Sequence, residues 1–148
     1  IGAAGTFIVR KPGPRATFRD ELKRNLPFDS EIISCYGSDL MQLQRDHPFG
    51  GGPFSPDTVR FVSVLAKPGG MRPSLPVAFP DEGEWLVRII GSRGCFVFGE
   101  YRRHMKTIGY LGQVDKLFSC PATTRNWNTI LSIVRLLQAD LGRKPAAR

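Results

Sequence analysis

Apolar side chains near the end of this chain recur with the spacing of a helix. From Trp127 they fall at Ile130, Leu131, Val134, Leu137 and Leu141, a stripe of 3.6-residue period that asks for burial along one side. Asn126 stands just before the stripe and predicts the N-cap, with Thr124 as the alternative. Gly142 predicts the end of the helix, and residues 143–148 read as a frayed basic tail. The run Val59 to Ala66 alternates instead, as a half-buried strand does. Trp85 to Ile90 and Cys95 to Tyr101 predict two strands, joined by Gly91-Ser92-Arg93-Gly94 as a hairpin turn. Thr6 to Val9 and Glu31 to Tyr36 are β-branched or apolar runs and predict two further strands.

Between these lie the other helices. Thr17 predicts a cap for a helix to about Asn25, with Phe18, Leu22 and Leu26 on one side. Asp20 and Glu21 fall early in it and Lys23 and Arg24 late, as the helix dipole prefers; Pro27 stops it. Ser38 predicts the cap of a second helix carrying Leu40, Met41 and Leu43, ending before Pro48. Gln113 to Phe118 predicts a short third helix. Gly50-Gly51-Gly52-Pro53 reads as a connector. Residues 67–80, with Pro68, Pro73, Pro76 and Pro80, read as a long connection. The resulting order is strand, helix, strand, helix, three adjoining strands, helix, helix. It predicts an α+β domain over residues 1–142, with an antiparallel-rich sheet and helices packed on one face.

Composition narrows the function classes. The chain has 148 residues, 41% of them hydrophobic and 23% charged, the balance of a globular domain. Lys and Arg outnumber Asp and Glu by 21 to 13, for a net charge of +8, which favours anionic partners. The basic residues are scattered: the densest groups are Arg10 to Arg24, Arg102-Arg103-Lys106, and Arg143-Lys144-Arg148. No apolar run approaches the roughly 18 residues that span a bilayer, so no membrane partner is expected. Three cysteines lie far apart without a CxxC motif, which points to a reducing compartment, the cytoplasm.

Candidate chemistry is sparse. The two histidines, His47 and His104, sit in no motif with a Cys or Ser partner, so no catalytic residue is assigned. No ligand spacing for a metal is present, and no cofactor is expected. Gly50-Gly51-Gly52 lacks the Lys-Ser/Thr of a phosphate loop. The run Ala122 to Thr129 remains. Thr124, Arg125, Asn126 and Asn128 with the amides of a helix start make a natural pocket for a phosphate or carboxylate. A structural reading competes: Asn126 caps, Trp127 enters the core, and Arg125 pairs with an acid such as Asp39. A second use of the charge is nucleic-acid binding. Phe96, Phe98 and Tyr101 share one strand, though the aromatic signature of RNA-recognition sheets is absent.

Several segments together resemble a bacterial family, domain of unknown function 1697. They are Gly5-Thr6-Phe7-Ile8-Val9, Cys35 to Leu40 running on to His47-Pro48-Phe49, Arg60 to Leu65, and Ala122 to Thr129. The resemblance covers most of the chain, and its last segment is the specific one. It implies ferredoxin-like βαββαβ units, usually two per full-length member, and no known activity. Segments 50–58 and 67–80 depart from the family pattern, as does His47, where Asn is more usual. The chain resembles the family from the end of its first half onward, without the first strand and its Leu-Arg-Gly-Ile-Asn-type segment. A sheet short of a strand implies an edge that pairs with another copy, a homodimer.

Overall fold

The computed structural model describes residues 5–142 apart from Pro12, 53–54 and 68–71. The expected tail 143–148 lies outside the described residues, as do parts of the glycine connector and the proline-rich connection. The elements run α1 (Arg15–Asn25), α2 (Gly37–Arg45), β1 (Thr58–Leu65), β2 (Val77–Phe79), β3 (Val87–Arg93), β4 (Phe96–Arg102), α3 (Thr107–Leu111), α4 (Gln113–Phe118), β5 (Ala122–Asn126) and α5 (Trp127–Gly142). The five strands form one sheet in the order β2-β3-β4-β1-β5, and every neighbouring pair is antiparallel. The protein is α+β, as its pattern predicts.

Strand alternation divides the side chains between two faces. On the first, Val62, Val64 and Phe96 meet Leu40, Met41 and Leu43 of α2 and Ile130, Ile133 and Val134 of α5. On the second, Phe61, Leu65, Val87, Ile89 and Val97 meet Val114 and Phe118 of α4. Helices on one face therefore describe α2 and α5 only. The sheet has two apolar faces, and α3 and α4 cover the second. In α5 the buried stripe is Ile130, Ile133 and Val134, with Leu137 packed at its border. Leu141, the last apolar position of the predicted stripe, is 74% exposed.

Thr6 to Val9 and Glu31 to Tyr36 are not strands. Their β-branched and apolar residues have no ladder to join. Ile8, Ile33 and Cys35 pack against the α2–α5 core, while side chains hold the backbone in place. The Arg15 guanidinium donates to the Ser34 hydroxyl (3.0 Å) and carbonyl, and Arg10 pairs with Asp140. Two predicted caps also move. α1 starts after Pro14 and α2 after Tyr36, neither with a side-chain cap, so Thr17 and Ser38 lie inside their helices. With this earlier start, Asp20 and Glu21 fall beyond the first turn of α1.

The hairpin turn is Gly94-Cys95, not Gly91 to Gly94, with Arg93 paired to Phe96 and Gly94 at φ +58°. Gly91 belongs to β3, beside a bulge that lets the strand follow the sheet's twist. At Gly99 a Cβ would run into the Arg88 carbonyl and the Phe61 ring, so only glycine lets β3 and β4 close there. The polar run Ala122–Asn126 is an edge strand, β5, and short β2 is the other edge.

Candidate functional site

The first face of the sheet is only partly covered. Beyond Val62 and Phe98, the same face carries Arg60 and Thr58 on β1, Glu100 and Arg102 on β4, and Arg88 on β3. Glu100 is in register with both Arg60 and Arg88, and opposite charges directly across strands attract. Its Oε2 accepts from Arg88 Nη2 at 2.8 Å. Its Oε1 lies 3.4 Å from Arg60 Nε, an ion pair longer than a good hydrogen bond. The Glu100 and Arg60 side chains are mostly buried, and Arg88 is 43% exposed.

Two aromatic rings flank this charged floor. Trp85, in the β2–β3 connection, has the guanidinium carbons of Arg88 and Arg102 each 4.8 Å from its ring centroid. Arg102 also pairs with Glu84. Phe49, after α2, has Arg60 at 5.2 Å and meets Phe98 and Trp127 edge-on at 6.0 and 5.1 Å. Phe49 thus stands where the apolar core ends and the charged floor begins. Phe49, Arg60, Trp85, Arg88, Glu100 and Arg102 line a cavity of about 670 Å³ together with Asp57 and others. Arg88 Nε and Arg102 Nε are buried and make no hydrogen bond. Among the lining residues three guanidinia against Asp57 and Glu100 leave one positive charge in excess, and Arg102 is further compensated by Glu84. Flat cationic planes, flat rings and a carboxylate suit binding. The described lining has no His or Cys to serve as a nucleophile or proton carrier.

The predicted residues at the start of α5 are dispersed. Arg125 donates from Nε to Thr6 Oγ1 (2.9 Å) and from Nη1 to Thr123 Oγ1 and the Thr124 carbonyl (both 2.8 Å). Thr124 lies opposite Ser63 on the second face, with the two hydroxyls 2.6 Å apart. Asn126 Oδ1 accepts from the Thr129 amide at 2.8 Å, the cap that its position predicts. Asn128 is exposed, and its carbonyl accepts from Ser132. Strand alternation therefore separates Thr124 from Arg125, which sequence adjacency had grouped.

Sequence reasoning missed Arg60, Glu100, Arg88, Arg102, Trp85 and Phe49 as a group. The available signal was charge at period-two positions inside strands that are otherwise apolar. The other chemical candidates remain apart. Burial pushes the Cys35 thiol up to about 11, and Cys95 beside it adds to the rise. Burial raises Cys95 as well. Both thiols stay protonated at neutral pH and make poor nucleophiles. No group of His, Cys, Asp and Glu suited to a metal occurs among the described residues. Among them, no helix is long and apolar enough to cross a membrane. Comparison of the chain with family models, curated proteins and solved structures gave no match.

Proposed function

We propose that this chain is a non-catalytic binding module for a small anionic ligand, held in the cavity on the open part of the sheet. The observation that carries this reading is the convergence of Arg60, Arg88 and Arg102 on one cavity. A phosphate or carboxylate can take remaining donors of Arg88 and Arg102, whose guanidinium carbons already lie over the Trp85 ring. The start of α5, with Thr124, Arg125, Asn126 and Asn128, is the less favoured seat, because its polar groups already serve one another and lie on different faces.

Calorimetric titration with inorganic phosphate, pyrophosphate and citrate tests the proposal. The Arg88→Ala/Arg102→Ala double variant should lose binding at least tenfold, and Arg125→Ala should keep it. Glu100→Gln should tighten binding, since a negative charge leaves the floor. Loss of binding in Arg125→Ala alone would move the seat to α5. No heat with any anion at millimolar concentration would end the reading.

Membership in the 1697 family, with its ferredoxin-like unit, belongs to the same proposal. Supporting it are the neighbours β5-β1-β4-β3 and the helical crossover α3–α4 that carries β4 to β5 across β1. The departure is the connection from β1 to β3, which contains strand β2 where such a unit has a helix.

A further inference from the structure

Building on the anion reading of the cavity, we propose that its ligand is a nucleotide: a planar heteroaromatic base joined to a phosphate. Volume argues first. A cavity of about 670 Å³ is far larger than one phosphate needs and falls within the roughly 300–1,000 Å³ of small-molecule sites. Charge argues second. With Glu100 between Arg60 and Arg88, and Asp57 on the wall, the lining carries a single positive charge in excess. That excess offsets only part of a phosphate monoester, which carries about −1.5 to −2 at pH 7, so the remaining affinity must come from elsewhere.

The walls supply it. Trp85 and Phe49 and the guanidinium groups over their rings are flat groups, and bases stack on both aromatic and guanidinium planes. The floor supplies hydrogen bonding of both kinds. The Arg88 side chain is 43% exposed, and its guanidinium keeps N–H donors beyond the one given to Glu100. The Glu100 oxygens keep acceptor capacity beyond their arginine contacts and can receive the N–H groups of a base edge.

The same chemistry is offered by a free mononucleotide and by one unit of a single strand. Titration calorimetry on the full chain separates them, with AMP, adenosine, ribose 5-phosphate and a 5′-phosphorylated oligoadenylate. AMP should bind at least tenfold more tightly than ribose 5-phosphate or adenosine. Trp85→Leu should weaken AMP about tenfold and leave ribose 5-phosphate unchanged. Phe49→Leu repeats the test if Trp85→Leu melts abnormally. An oligonucleotide that binds no tighter than AMP assigns the site to free nucleotides. Tighter binding, with a salt dependence steeper than one released ion, assigns it to a strand. Equal affinity for AMP and ribose 5-phosphate overturns the base-binding claim while sparing the anion reading. Equal affinity for AMP and adenosine, or no binding of any probe, overturns both.

Discussion

Two halves of one sheet face can be compared position by position. Along β1 and β4 the paired residues are Val64 with Phe96, Val62 with Phe98, Arg60 with Glu100, and Thr58 with Arg102. The backbone, register and face are shared, yet the chemistry changes from apolar to charged in one step. α2 and α5 cover the apolar half, and the charged half is open to a cavity. Coverage follows burial cost. Desolvating an arginine–glutamate–arginine floor under a helix would consume more free energy than its pairing returns, so helical coverage gives out near Phe49, beyond the end of α2, and Trp127, the first residue of α5. One half holds the fold, and the other keeps its charges in reach of a ligand.

The largest test of this contrast is stability. Phe96, 3% exposed in the covered half, should cost about 3–5 kcal/mol when cut to alanine. Arg88→Ala in the open half, where the side chain is 43% exposed, should cost clearly less, because Arg60 still faces the Glu100 carboxylate. Urea unfolding of both variants gives the comparison, and equal losses would erase the distinction between the halves.

A second, smaller effect belongs to the covered half alone. Cys35 packs against that core, and its folded thiol sits at about 11 against an ordinary 9.0. Between these values the unfolded chain has shed the proton and the folded chain keeps it. The unfolded state then binds fewer protons, so stability falls as pH rises from about 9 to about 11 and levels off above. Thermal melts of wild type and Cys35→Ser across that range should diverge, with the wild type losing more. Parallel curves would mean that water reaches the thiol.

The smallest effect sharpens the assignment of the α5 start. Asn126→Ala should cost about 1 kcal/mol by loss of the cap, while anion affinity stays at the wild-type value. A variant that melts normally but no longer binds anions would return the site to that helix end.

The elements with their own local signal were legible in the chain. β1, the β3–β4 hairpin, α4 and α5 follow from alternation and helical spacing, and Asn126 caps as its position predicts. Thr6 to Val9 and Glu31 to Tyr36 are β-branched or apolar runs without being strands. A strand needs a partner as well as a pattern, and their inward residues are satisfied by helices. β5 stayed hidden for the opposite reason. Its polar sequence Ala122–Asn126 carries little apolar alternation, and its hydrogen bonds come from β1.

Local sequence therefore determined the α+β class, the amphipathic faces and a cationic excess, because propensity, period and net charge need only near neighbours. Tertiary structure alone decided which charges meet. Arg60, Arg88, Glu100 and Arg102 come from three strands, and antiparallel register across up to 42 positions of chain brings them to one face. Register depends on the whole sheet closing at once, with Gly99 permitting the close approach and the bulge setting the phase. No window of sequence contains that information.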